Sequence, residues 1–233
     1  MTVNANSFRD VFVAALGDHL ATSPGVLPLI NALSHDGMIS ALSEVVAASP
    51  SQLGRAAAGL DDAQPLAAQL RAILPTVCFY AFLEEADVDP VLAAGLFAGQ
   101  IGYHSNPPAR LGLFLLGPGV YYPPHQHAAE EIYYCAAGSL TLQHGTDGTP
   151  FDLKAGELSV TPSHRVHALS TGDTPCLLIY AWAGDVTAPA WWWDQDGEGA
   201  WHRTRWSRRA DGRWLQETRE AVTGEVRQEA GEL

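Results

Sequence analysis

The chain has 233 residues, 47% of them hydrophobic, which is enough for one domain or a domain with a large extension around a sizeable core. The formal net charge is −13, and seven of its twelve arginines fall between Arg203 and Arg227, so the remainder is distinctly acidic. A nucleic-acid backbone requires a positive surface, which argues against DNA or RNA as a partner. Cys78, Cys135 and Cys176 are an odd, widely spaced set in apolar surroundings, without a CxxC. Neither a disulfide framework nor a cysteine-rich zinc site is expected, and the thiols read as buried and inert. The first residues lack a basic start followed by an apolar core, and there is no run of about 18 apolar residues; no signal peptide and no membrane span are expected, and the default location is cytoplasmic.

Residues 1–102 read as a helical N-terminal region, a cap or dimerisation element with no chemical motif of its own. Ser7 is the expected cap of a first helix, with Phe8, Val11, Phe12, Ala15, Leu16 and Leu20 at helical spacing, broken by Pro24-Gly25. A second is expected over 27–48, ended by Ser49-Pro50. A third starts near Asp61-Asp62 and runs through Leu66, Leu70, Ile73 and Leu74 to Pro75. The apolar stretch from Val77 to Leu83 follows, and Asp89-Pro90 opens one more helix through Phe97. The character changes after Ile101. Short strand-like runs at 111–116, 131–136, 139–143, 157–161 and 176–182 are separated by Gly/Pro turns, so residues 103–233 read as a β-barrel or sandwich. The Trp- and Arg-rich tail after Val186 adds strands or a helix against it.

The chemistry concentrates in two stretches. In the first, Gly119, His125, His127, Glu131, Tyr133 and Gly138 follow in quick succession; in the second, Gly156, Pro162 and His167. Side chains alternate faces along a strand, so His125 shares a face with His127, and Glu131 with Tyr133. Three imidazoles and a carboxylate suit one divalent transition metal ion per chain, without distinguishing Zn, Fe(II), Mn, Co or Ni. Glu130 and His164 are out of phase with this set. Tyr134 alternates away from Tyr133 and reads as an outward or core ring.

These intervals resemble the cupin superfamily. Its first pattern, Gly-x5-His-x-His-x3-4-Glu-x6-Gly, is matched throughout; its second is matched at Gly156, Pro162 and His167, with His164 in place of the usual Gly and Thr171 in place of Asn. The resemblance implies a mainly β double-stranded β-helix (jelly-roll) barrel. Tyr133 two residues past Glu131, and Tyr122 three before His125, resemble the cupin-type bacterial dimethylsulfoniopropionate (DMSP) lyases. The helical first half, the length and the Trp-rich tail are most like the DddL branch. That resemblance implies His125, His127, Glu131 and His167 as metal ligands, Tyr133 as catalytic base and Tyr122 as a substrate contact.

The implied reaction is β-elimination of a zwitterion to dimethyl sulfide and acrylate. A cation beside the carboxylate stabilises charge developing at the α-carbon and favours a phenolate base. Aromatic faces attract a sulfonium, which makes Trp182 and Trp191 candidate substrate contacts beside Tyr122; one at most of the three consecutive tryptophans is expected to face the pocket. Two further readings use the same fold: a cupin dioxygenase working with Fe(II) and O₂, and a non-catalytic cupin that binds a small molecule.

Overall fold

The computed structural model describes residues 4–35, 37–40, 47–48, 50–64, 66–84 and 87–232. Helix α1 (Ala5–Gly17) is capped by Asn4 rather than Ser7. The Asn4 side chain accepts from the Ser7 backbone N at 3.0 Å, and the Ser7 hydroxyl accepts from the Asn4 N at 2.9 Å, a reciprocal capping box. The helix ends at Gly17, short of Leu20. Helix α2 (Leu27–Leu33) is far shorter than expected. Gly37 then takes a left-handed φ of +87°, and the chain enters β1 (Ile39–Ser40); Leu42 and Val45 of the expected helix lie outside the described residues.

An unexpected α3 (Leu53–Ala58) precedes α4 (Ala67–Ile73). Asp61 does not open α4, because its carboxylate instead closes a turn by accepting from Ala63 N at 2.9 Å. After β2 (Phe79–Ala81), α5 (Pro90–Gly95) starts at the expected Asp89-Pro90, with Asp89 accepting from Val91 N and Leu92 N. It stops before Phe97, because β3 (Leu96–Ser105) begins there. That strand crosses residue 102, so the boundary expected at 102/103 falls inside an element.

The remaining strands are β4 (Pro108–Leu116), β5 (Tyr121–Gln126), β6 (Glu130–Ala137), β7 (Ser139–His144), β8 (Phe151–Lys154), β9 (Leu158–Thr161), β10 (His167–Ser170), β11 (Cys176–Ala183), β12 (Ala190–Gln195), β13 (Trp201–Arg208) and β14 (Trp214–Ala221), followed by α6 (Gly224–Glu229). They form two antiparallel sheets. One runs β1-β3-β4-β11-β6-β9, with β2 also on β3; the other runs β14-β13-β12-β5-β10-β7-β8. The tail thus supplies three strands that extend the second sheet, plus one short helix.

Strand alternation sorts the core into two layers. On β6, Ile132, Tyr134 and Ala136 face outward with Leu111, Leu113 and Leu115 of β4, and α1, α2 and α4 cover them through Phe8, Phe12, Leu29 and Leu70. The opposite face, with Tyr133 and Cys135 of β6, Phe114 of β4 and Tyr180 and Trp182 of β11, meets Tyr122, Leu142 and Leu169 from the other sheet. The architecture is therefore mainly β, two sheets closing on an interior, with helices from the N-terminal region on the back of one sheet. Cys135 and Cys176 are buried as expected, their sulfurs 3.7 Å apart; Cys78 is only half-buried. Among the described residues no helix is long and apolar enough to cross a membrane.

Candidate metal centre and its pocket

The two sheets contribute different halves of the site. In the second sheet, β5 pairs with β10 so that His125 lies opposite His167. In the first, β6 lies between β9 and β11, which sets Glu131 opposite Trp182 and Tyr133 opposite Tyr180. His127 sits just past β5, where the chain crosses between sheets. Gly138, at φ +78° with the Pro175 carbonyl where a Cβ would stand, makes the tight turn that returns β6 into β7.

Three side chains converge. His127 Nε2 is 2.9 Å and His167 Nε2 3.3 Å from the same Glu131 oxygen, Oε2, and the ligand atoms of the three lie within 4.8 Å of one another. All are almost completely buried. His125, expected as a further ligand, stands beside this cluster rather than in it. Its ring stacks on Tyr122 and lies tilted by 53° to His167, with centroids 4.0 Å from each.

The hydrogen bonds of these side chains suit a bound cation. The Nδ1 atoms of His125, His127 and His167 lie 2.8, 2.9 and 3.0 Å from the carbonyls of Pro123, Ala129 and Arg165. A carbonyl only accepts, so each Nδ1 carries the proton and each neutral Nε2 presents a lone pair. His167 Nε2 is buried with no hydrogen-bond partner. Ligand atoms each ~2.1 Å from one ion at the tetrahedral angle lie about 3.4 Å apart, near the 2.9 and 3.3 Å separations from Glu131 Oε2. The other Glu131 oxygen, Oε1, accepts from Trp182 Nε1 at 2.6 Å, leaving Oε2 to face the imidazoles. A hydrogen bond to a charged acceptor of this kind contributes roughly 1.5–3 kcal/mol. These residues fit a single metal site.

Electrostatics agree with that arrangement. Burial alone raises the Glu131 carboxyl, but the two imidazoles facing its Oε2, His127 ahead of His167, outweigh it and hold the group far below the ordinary carboxylate range. Burial, then His167, pushes His125 well below the usual imidazole value. Burial and then the negative charge of Glu131 push the Tyr133 phenol well above its ordinary value. A cation bound by Glu131 would oppose that second effect.

Around the cluster lies an aromatic pocket, lined by Tyr122, Tyr133, Tyr180, Phe114 and Trp182 together with Tyr80, Arg110 and Arg208. Trp182 lies 4.3 Å from the His127 ring and lines the pocket, while its indole nitrogen orients Glu131. Trp191 is a correction. Alternation along β12 sends it to the outer face, where Arg203 stacks on it at 4.0 Å, and Trp193 also turns away to donate to Gln126. Trp192, between them, is the one that packs against Tyr122, at 5.2 Å. Sequence reasoning missed Tyr80, Arg110 and Arg208. No local motif marks them, since they arrive from β2, β4 and β13.

The two departures from the second cupin pattern have structural roles. His164, where the pattern has Gly, adopts φ +62°, the left-handed conformation a glycine takes freely. The Thr171 hydroxyl accepts from Val120 N at 3.0 Å and donates to the Gly117 carbonyl at 2.6 Å, which ties the turn before β5 to the end of β10.

Residues 45–178, more than half the chain, match the family model described as dimethylsulfoniopropionate lyase. The chain belongs to this family. Among curated relatives, the DMSP lyase DddQ of Ruegeria pomeroyi is 44% identical over 73 residues, 30% of this chain and 35% of that protein. The putative DMSP lyase DddL of Cereibacter sphaeroides is 37% identical over 76 residues, 32% of this chain and 31% of that protein. These matches span about a third of each relative's length. The crystal structure of DddQ from Ruegeria pomeroyi superposes with a TM-score of 0.56 at 20% identity, covering 78% of this chain and 95% of that one. A chain from the crystal structures of the DMSP lyases RdDddP and RnDddQII gives 0.57 at 19%, with the same coverage. At such identity the likeness establishes the fold of this DMSP-lyase family member.

Proposed function

We propose that this family member is a metal-dependent carbon–sulfur lyase that cleaves DMSP to dimethyl sulfide and acrylate. The observation that carries the reading is the juxtaposition of a buried His127–Glu131–His167 cluster with Tyr133, in phase with Glu131, inside an aromatic pocket. We assign His127, Glu131 and His167 as ligands, and His125 as the fourth, since its Nδ1 proton is committed to Pro123 and its Nε2 is left as a lone pair. A divalent ion held there supplies positive charge to the substrate carboxylate, which lowers the barrier to removing the α-proton. The mixed N/O donors suit several first-row metals, and cellular supply selects among them.

The protein's own residues supply the rest. Tyr133 takes the α-proton onto its phenolate oxygen. The Cα–H electrons form the Cα=Cβ bond, the Cβ–S bond breaks, and its pair leaves on sulfur as neutral dimethyl sulfide. The proton then returns to solvent from Tyr133. Tyr122 and Trp182 provide ring faces for the sulfonium, each such contact contributing about 0.5–2 kcal/mol; Trp191 has no part in this. Near-complete burial excludes water that would compete for Tyr133. The helical N-terminal region is proposed as a cap, and its outer surface as the place where two chains would pair.

The deciding experiment is release of dimethyl sulfide from DMSP by purified, fully metallated protein, followed by headspace gas chromatography under air and under strict anaerobiosis. Equal release in both supports the lyase. Release only in air supports the dioxygenase reading, and none at all leaves binding without turnover.

A further inference from the structure

The pocket contains two guanidinium groups that the proposed elimination does not use. Arg110, on β4, and Arg208, at the end of β13, both line it. The Nε of each is buried with no hydrogen-bond partner, and neither has a carboxylate within 4.0 Å among the described residues. Neighbouring arginines of the same C-terminal strands and their hairpin are paired: Arg203 with Glu220 at 2.7 Å, Arg205 with Glu217 at 3.3 Å, Arg213 with Asp211 at 2.8 Å and Arg219 with Asp194 at 2.6 Å. In a chain of net charge −13, acidic partners are abundant, yet among the described residues these two positions face none. Both side chains are half-buried, and a guanidinium that faces a cavity without a carboxylate beside it favours an anion there.

Their placement narrows the role. Beside the metal cluster the space is small, about 30 Å³, whereas an outer cavity of about 240 Å³ lies against Arg110, Arg208 and Trp214. The two arginines line both. Arg208 Nη2 donates to the Tyr80 hydroxyl at 2.6 Å, which fixes the side chain beside the inner space, and Arg110 lies 5.7 Å over the Trp182 ring.

We propose that Arg110 and Arg208 form a carboxylate-binding subsite at a passage joining the two cavities, which captures a short monocarboxylate on its way to the metal cluster and holds the carboxylate product on its way out. A planar fork of N–H donors matches a carboxylate in geometry and charge, and two such forks select against neutral or cationic molecules of the same size. The ligand class draws on the lyase reading; the anion subsite stands on the arginines.

The test titrates propionate and its neutral isostere propionamide into the full-length protein by isothermal calorimetry, as purified and after chelation. Propionate should bind at least tenfold more tightly than propionamide, retain that preference after chelation, and lose roughly tenfold or more in affinity in both Arg110→Gln and Arg208→Gln, with thermal melts reporting folding. Unchanged propionate affinity in a folded variant overturns the proposal. If a variant does not fold, equal affinity for propionate and propionamide in the unaltered chain overturns it instead. Dimethyl sulfide release is scored separately, so an inactive protein that binds propionate through its arginines refutes the lyase reading alone.

Discussion

Glu131 spends its two oxygens differently: Oε1 on the Trp182 indole, Oε2 on two imidazoles. That division makes its removal more disruptive than loss of one ligand, since Trp182 is left a buried unpaired donor. Glu131→Ala and His167→Ala are expected to deplete the metal, and His125→Ala to weaken it less, because its ring stands outside the tight cluster; Glu130→Ala, half-buried at the start of β6, leaves metal content near normal. Elemental analysis of the purified variants checks this ranking, and equal loss from Glu130→Ala would mean that the wrong carboxylate was chosen. Tyr133→Phe preserves the ring's packing and removes only the hydroxyl. It should keep the metal and lose at least a hundredfold in kcat; near-normal dimethyl sulfide release by a metallated Tyr133→Phe protein would dismiss Tyr133 as the base. The shared face of Glu131 and Tyr133 on β6 was legible from spacing, because a strand's period of two is a local rule, whereas His127 falls just past the end of β5. Trp191 was misassigned because three consecutive tryptophans carry no phase of their own until β12 pairs with β5 through Trp191 opposite Gln126 and Trp192 opposite His125.

Elements differ in how far local signals reach. Asp89-Pro90 opened a helix where expected, since cap and N1 proline act within one turn. Helix ends were less legible: Met38 and Ile39 read as a continuation of the apolar series Leu29, Ile30 and Leu33, yet β1 forms there because β3 offers it an edge. Within the first sheet, Gly112 is where Tyr180 packs flat; an added Cβ would stand 2.5 Å from its ring. Gly112→Ala should therefore cost roughly 1–3 kcal/mol in urea denaturation, as overpacking does, and displace Tyr180 from Phe114, with which it stacks at 4.4 Å. No loss of stability would mean that β4 shifts freely. The turn before β10 behaves oppositely. His164 sits at φ +62°, partly exposed, its only ionic neighbour Glu229 at 3.7 Å among the described residues. His164→Gly should relieve that strain and raise stability by up to about 1 kcal/mol, read from the same denaturation midpoint; a clear fall would show that the His164 side chain holds the turn.

For the whole molecule, the helices and the barrel share one core. Ile132, Tyr134 and Ala136 on β6 are covered by α1, α2 and α4, so the N-terminal region is part of the structure that holds Glu131 in place. A chain cut to residues 103–233 would lose most of β3 and uncover that apolar sheet face. It should aggregate or remain unfolded, whereas the full chain elutes as a defined species; a soluble, cooperatively melting 103–233 fragment by size-exclusion chromatography and calorimetry would show that the barrel stands alone.

The sequence by itself determined the mainly β barrel behind a helical region, the two histidine-bearing stretches and the phase of Tyr133 with Glu131, because these follow from spacing along one strand or one turn. Only the tertiary structure decided which distant residues meet: Glu131 with Trp182, His125 against Tyr122 and His167, Trp191 on the outer face, and Arg110 with Arg208 on one pocket. Those pairings join residues up to about a hundred positions apart, and their register is set by the packing of whole sheets, which no local pattern encodes.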